Sequence, residues 1–314
     1  MEHSQPNQAL APEFIMQYAT KFIAIRVEQS SAVLAVTLNR PEARNAMSLL
    51  MVAELRQVLQ AAEASAGTPQ AVRVLVLRGE GGHFCAGADL KDMAGARMRA
   101  MQAASATADS RRVAGVSDAV GVGRDTGTDV LDPIAEVNAA FGELCVAYAR
   151  TPLAVVAVLE GTVMGGGFGL ACVADVAIAS ETAQFRLPET SLGVVPAQIA
   201  PFLVERLGYS QAKRLAVTGG RLDAAAALRL GLVHTVADTA NLQTELDTVL
   251  ADILACAPGA LAATKALMAQ ARLREPQDLV QQAAAIFSRA AQGPEGMEGI
   301  AAFMQKRKPQ WAMP

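Results

Sequence analysis

Two segments of this chain couple an apolar run to glycines set where a backbone must be approached closely. They are VLVLRGEGGHFCAGADLKDM, residues 74–93, and PLAVVAVLEGTVMGGGFGLACV, residues 152–173. Each reads as a buried strand, a glycine-rich bend and the start of a small-residue helix. Glycine costs backbone entropy, so a chain keeps Gly165, Gly166 and Gly167 in a row where something must come near the backbone or φ must be positive. Small residues at such a bend leave backbone N–H groups open to a ligand, and a helix N-terminus adds partial positive charge. Two such groups converging on one oxygen would form an oxyanion hole. Two tight turns needed only for packing would give the same pattern. A third segment, FRLPETSLG, offers an acid: Glu189 directly follows Pro188 and has apolar neighbours. Burial there would raise its pKa and suit it to moving a proton.

Other chemistries find no support. The chain has no G-x-x-x-x-G-K-[ST] loop and no G-x-S-x-G elbow, and GVGRDTG misses the dinucleotide-binding spacing and follows no strand. His3, His83 and His234 show no metal spacing and read as structural or surface residues, His83 being a bystander beside the first glycine loop. Cys85, Cys145, Cys172 and Cys256 are far apart, so neither a disulfide framework nor a zinc site is indicated.

The elements that must position these residues are legible in the periodicity. FIAIRVEQSSAVLAVTLNRP predicts a hairpin, and SLLMVAELRQVLQAAEASA a helix with Ser48 as N-cap. VRVLVLRGEG and PLAVVAVLEG are continuous apolar runs, as buried parallel strands should be. IAEVNAAFGELCVAYART predicts a helix; DVAIAS and AQFRL predict short strands. The alternation indicates an α/β core over residues 21–240, preceded by a disordered tail over 1–20. A helical segment follows over 241–314, with helices starting near Asn241, Pro258, Pro276 and Pro294. Residues 94–132 read as a polar insertion with a flexible loop inside it. No internal sequence repeat is evident.

Bulk properties narrow the class. The 314 residues are 52% apolar and only 4% aromatic, an Ala/Val/Leu-rich globular composition. No apolar run reaches the about 18 residues of a membrane span, the two longest being cut by Glu160 and Asp175. A net charge of −3 argues against a general nucleic-acid surface, although KRKPQW and MRAMQAASATADSRR could hold a small polyanion. The first residues lack the basic and apolar regions of a signal peptide, so a cytoplasmic, reduced protein is expected.

LNRPEARNAMS, HFCAGADLKDM, MGGGFGLACVADVAIASETAQFRLPETSLGVVP and GIAAFMQKRKPQW together resemble the crotonase (enoyl-CoA hydratase/isomerase) superfamily, from about residue 22 to 311. The resemblance implies an α/β spiral of repeated β-β-α units with a helical C-terminal domain, assembled as a homotrimer or a hexamer (dimer of trimers). It implies an acyl-CoA thioester substrate whose enolate the enzyme stabilises. It implies no cofactor beyond the coenzyme A moiety, and neither a nucleic-acid nor a membrane partner. Carried over by position, the oxyanion donors are the N–H groups of Ala88 and Gly166, and Glu189 matches a catalytic glutamate. Ala86, Asp89, Leu90 and Lys91 match the loop against pantetheine and adenine, and Ala43 and Arg44 the other adenine-side segment. Phe303 and Lys306 match the helix that covers the nucleotide, often in a neighbouring subunit. Arg44, Lys91 and Lys306 suit CoA phosphates by charge and are equally ordinary as solvated surface cations.

One departure stands out: Gly169 occupies the position of the other glutamate in two-glutamate hydratases. Members with a single glutamate include Δ3,Δ2-enoyl-CoA isomerases, feruloyl-CoA-type hydratases and 3-hydroxyisobutyryl-CoA hydrolases. PETSLGVVPAQIAPFLVERLG is similar to bacterial hydratases of branched acyl-CoA breakdown, of methylglutaconyl- and isohexenylglutaconyl-CoA type. Their substrates carry a second carboxylate, which Arg186 would meet if it pointed inward; strand alternation favours solvent. Insertion 94–132 is expected to be a mobile lid or wall of the acyl pocket, or else a plain surface loop. The leading expectation is an enoyl-CoA hydratase. An isomerase comes next, then a 3-hydroxyacyl-CoA hydrolase, and from a different class a non-catalytic acyl-CoA-binding homologue.

Overall fold

The computed structural model describes residues 21–113 and 132–312; the expected N-terminal tail lies outside the described residues. β1 (Ile25–Ser30) and β2 (Val33–Leu38) form the expected antiparallel hairpin, turning at Ser31 with φ 52°. β3 (Val74–Gly79), β4 (Ala154–Leu159), β6 (Val176–Ser180) and β9 (Thr235–Ala237) extend it in parallel, giving the order β1-β2-β3-β4-β6-β9. β3 and β4 are apolar throughout because both faces are covered. Leu75, Leu77, Val155 and Ala157 enter the main core, while Val74, Val76, Val156 and Val158 pack beneath Leu242 and Leu246.

A second sheet joins β5 (Thr162–Met164), β7 (Gln184–Arg186) and β8 (Arg221–Asp223). Cys85 pairs with Val163 at its edge. Three times, then, the chain leaves the main sheet, adds a short strand or bridge to the second sheet, and enters a helix. Those helices are α2 (Leu90–Val113), α4 (Gly166–Val173) and α5 (Ala200–Thr218). This is the expected spiral of β-β-α units, repeated in structure without a repeat in sequence.

α1 (Leu49–Ala64) starts at Ser48, whose hydroxyl accepts from the Met51 N–H at 3.2 Å. α3 (Pro133–Arg150) packs on α1, α2 and α4. The insertion expected over 94–132 is described only in its first part. Residues up to Val113 continue α2, because this stretch is rich in the strong helix formers Ala, Arg and Met. Residues 114–131, with the rest of the expected loop, lie outside the described residues.

Beyond the short α6 (Ala224–Arg229) come α7 (Leu242–Ala255), α8 (Pro258–Ala271), α9 (Pro276–Gln292) and α10 (Pro294–Met304), at the expected starts. Polar pins fix this segment to the core. Arg73 donates to the carbonyls of Trp311, Leu254 and Cys256, at 2.8, 3.0 and 2.5 Å. Lys265 reaches the Leu153 carbonyl and Asp175, which also accepts from the Val155 N–H. No single helix among the described residues is long and apolar enough to cross a membrane.

Candidate active site

The two glycine loops meet backbone to backbone. The Cys85 N–H donates to the Thr162 carbonyl and the Met164 N–H to the Cys85 carbonyl, both at 2.9 Å. On its other side the first loop is tied to residues 44–47. The Ala86 N–H donates to Arg44 O, the Met47 N–H to Gly87 O and the Asp89 N–H to Met47 O, at 2.9, 2.7 and 3.0 Å. Gly87 has φ +96°, and a Cβ there would lie 3.3 Å from Met164 O. A Cβ on Gly165 would lie 3.5 Å from the Gly87 Cα. Among the described residues, neither the Ala88 N–H nor the Gly166 N–H has a protein acceptor. For Gly166 this follows from its place as first residue of α4, where no preceding turn supplies a carbonyl.

The glycine run has a separate requirement at each position. Gly165 sits at φ +49°, ψ −114°, a backbone that L side chains rarely adopt. Gly166 faces the Phe141 ring, whose rim would lie 3.2 Å from an added Cβ. Gly167 packs on Cys85, whose Cβ and carbonyl oxygen would both lie 2.7 Å from an added Cβ. Gly169, one turn on, is covered by Ile199 and Phe141.

Glu189 opens a single 3-10 turn, Glu189–Leu192. The Leu187 N–H donates to Gly220 O at 3.1 Å, and the Thr190 hydroxyl to Ala216 O at 2.7 Å, fixing both flanks. Its carboxylate points at the second loop, with Oε1 3.2 Å from where a Gly165 Cβ would stand. Oε2 is buried without a hydrogen-bond partner. Burial pushes the Glu189 carboxyl above its ordinary pKa, partly offset by its own backbone N–H. Arg186 lies opposite Arg221 in the second sheet, half-buried. Its Nε is shielded and unpartnered, while the side chain as a whole is only partly buried.

The residues matched to coenzyme A fall into two groups. Ala43 ends a 3-10 turn, after which Arg44 and Asn45 are left-handed at φ 48° and 56°. Asn45, fully buried, stabilises this bend: it accepts from the Arg40 N–H and donates to Glu80 O and His83 O. Arg44, Ala86, Asp89, Leu90 and Lys91 are thereby gathered around Ala88, with Leu90 77% exposed. The Asp89 side chain is already engaged, by Arg40 at 2.7 Å and the Lys91 N–H at 2.8 Å. Burial raises its pKa, but these bonds and the two cations outweigh it and hold the carboxyl low. Phe303 and Lys306 lie at the end of α10, which packs on α9, and both are exposed. No hydrogen bond or ion pair among the described residues joins them to the Arg44–Lys91 face. His83 is structural, its Nδ1 accepting from the Thr162 N–H at 3.1 Å.

Sequence reasoning missed Asn45, Arg40, Phe141 and Ile199, which position or wall the site. Arg40 and Asn45 bond each other within LNRPEARNAMS, a local signal, whereas Phe141 and Ile199 reach the glycines across long sequence gaps.

The enoyl-CoA hydratase/isomerase family model matches residues 28–118 and 126–314. The chain is 31% identical over 285 residues to the 2,3-dehydroadipyl-CoA hydratase of Escherichia coli (strain K12), covering 90% of this chain and 96% of that protein. Among solved structures, an enoyl-CoA hydratase/isomerase from Marinobacter aquaeolei superposes with a TM-score of 0.78 at 46% identity, covering 92% of this chain and 99% of that one. Pseudomonas aeruginosa AtuE superposes with a TM-score of 0.79 at 48% identity, covering 93% and 100%. With matching motifs, spiral fold and sequence over nearly its whole length, the chain belongs to the enoyl-CoA hydratase/isomerase family.

Proposed function

We propose that this enzyme adds water across the double bond of a 2-enoyl-CoA, with Glu189 as the acid/base and the Ala88 and Gly166 amides as oxyanion donors. One observation carries the reading: a buried carboxylate with an unpartnered oxygen faces the contact between two loops that each present an unpaired N–H. On this reading the thioester carbonyl oxygen accepts from both amides. As water adds to C3, negative charge collects on that oxygen, so the donors bind the enolate more strongly than the substrate. Loss of one such donor costs about 10²–10³ in rate. Glu189 takes a proton from the attacking water and delivers a proton to C2, so the carboxylate is regenerated. Its raised pKa brings it nearer the operating pH, as efficient proton transfer requires.

An isomerase reading is favoured by one specific feature. Ile199 walls the position of a second carboxylate, leaving one acid, which suffices to move a proton from C2 to C4 of a 3-enoyl-CoA without water. Incubation with 2-enoyl- and 3-enoyl-CoAs in 18O-labelled water, read by mass spectrometry, separates the two. Gain of one labelled water supports hydration; double-bond migration with no gain overturns it in favour of isomerisation.

For the acyl group, the reading is a branched or second-carboxylate chain of the methylglutaconyl type. PETSLGVVPAQIAPF and the name of the 2,3-dehydroadipyl-CoA hydratase relative support it. Arg44 and Lys91 are the proposed phosphate contacts on this protomer. A trimer, or a dimer of trimers, is the proposed assembly, supported by exposed Leu273, Val280 and Phe287 in the C-terminal helical segment. Light scattering on the purified protein gives the assembly mass directly.

A further inference from the structure

The side chains around the glycine-run helix are not uniformly apolar. The Phe141 ring covers Gly166 and Gly169, which lie three apart on one face of α4. On α3, Asn138, Phe141 and Gly142 share a face by the same spacing. Gly142 is buried and lacks a side chain where Gln198 packs, a Cβ there falling 2.6 Å from the Gln198 Cδ. Gln198 Nε2 donates to Asn138 Oδ1 at 2.7 Å. Next to Gln198, Ile199 covers Gly169. The continuous path from the Gly166 amide therefore runs over Phe141 to a bonded pair of side-chain amides.

That pair is under-used. Two primary amides carry four N–H groups, and their mutual bond spends one whichever way either amide is flipped. Neither side chain makes another hydrogen bond among the described residues, and none of their free atoms is sealed from solvent. A hydrocarbon chain laid against them would strip water from N–H groups without replacing its bonds, a cost of the kind that gives polar sites their strongest discrimination. An oxygen acceptor on the chain removes that cost.

We propose that Asn138 and Gln198 read a hydrogen-bond acceptor, a carboxylate or carbonyl oxygen, on the acyl chain beyond its double bond. This rests on the acyl-CoA reading above and names the residues that select the chain. It is tested by calorimetric titration of the full-length protein with adipyl-CoA, its methyl ester and hexanoyl-CoA, none of which reacts. Wild type is expected to bind adipyl-CoA about 10–100-fold more tightly than hexanoyl-CoA, the span of one hydrogen bond to a charged group. Gln198→Leu and Asn138→Leu should bring that ratio near one. Gln198→Glu, which keeps the shape, should turn it against adipyl-CoA by charge repulsion. An ester that binds like adipyl-CoA assigns the contact to a carbonyl oxygen, and one that binds like hexanoyl-CoA assigns it to the carboxylate. Equal wild-type affinity for adipyl- and hexanoyl-CoA, or an unchanged ratio in the Leu variants, overturns the proposal. An intact ratio with no water added to any 2-enoyl-CoA overturns the hydratase reading alone.

Discussion

The Cγ2 methyl of Ile199 stands in the space that a Cβ on Gly169 would need. On the proposed reading, in which Gly169 stands where a second carboxylate is expected, Ile199 fills the space such a side chain would enter. Gly169→Ala should destabilise the protein by about 1–3 kcal/mol through overpacking. Ile199→Val keeps both γ carbons and should not relieve it, whereas Ile199→Ala removes the clashing methyl and should. A double-mutant cycle by thermal melting checks this: coupling is expected with Ala and near-additivity with Val.

Glu189 gives a prediction with a definite sign in pH. Its folded pKa lies above the unfolded value because burial opposes the charge. Its contribution therefore favours the fold below the unfolded carboxyl pKa, about 4.3, and is lost as pH rises through the raised value. Glu189→Gln is neutral at every pH, so its stability relative to wild type should rise toward pH 7 and the gap should close below about pH 4. The same variant should lose about 10²–10⁴ in turnover, the usual worth of a general acid/base. Melting curves across pH and a steady-state assay measure the two effects; wild-type turnover would remove Glu189 from the chemistry.

How far the sequence carries this picture depends on the range of the forces involved. The first five strands of the main sheet, the Ser48 cap and all four C-terminal helix starts are legible because each is set by periodicity, capping chemistry or a proline within a few residues, whereas the three-residue edge strand β9 is too short to carry a period. The two glycine loops are recognisable as places of close approach, but what approaches each glycine is not. Phe141, Cys85 and Glu189 reach Gly166, Gly167 and Gly165 from remote segments, and only the folded chain decides which touches which. Most of α2 gives no helical periodicity in the sequence because its Ala-rich run lacks a regular apolar stripe, leaving propensity as the one signal. Arg186 shows the same limit: alternation assigns its face, yet the shielding of its Nε depends on neighbours that no local pattern names.

Asp89 and Arg40 join the first glycine loop to the bend that carries Arg44, with side chains only 10% and 22% exposed. Asp89→Asn removes the closer of the two carboxylates that Arg40 meets, leaving only Glu42 at 3.9 Å, and should cost about 1.5–3 kcal/mol at neutral pH. Because the folded Asp89 pKa is held low, its contribution is present above the unfolded value, about 3.9, and is lost as pH falls through the depressed folded value. The stability gap between wild type and variant should therefore shrink in acid, opposite in direction to the Glu189 case. On the proposed assignment of this face, the variant also raises KM for acyl-CoA more than it lowers kcat.

The three adjacent glycines should fail in three distinguishable ways when changed to alanine. Gly167→Ala drives a Cβ onto the Cys85 backbone carbonyl, which cannot move without the second sheet, so the loss appears in folding. Cys85→Ala should not restore it, since the carbonyl remains. Gly166→Ala keeps its N–H and a helical backbone and meets only the rim of the Phe141 ring, so Phe141→Leu should recover most of what it loses. Gly165→Ala is strained by its backbone whatever the space around it, at about 1–2 kcal/mol, and crowds Glu189 Oε1 as well. Its loss should appear chiefly in kcat, with a shifted pH profile, and no single partner substitution should rescue it. Thermal melts with steady-state kinetics on the three variants and their two rescues check the pattern. Uniform behaviour across the run would mean that the glycines serve packing alone.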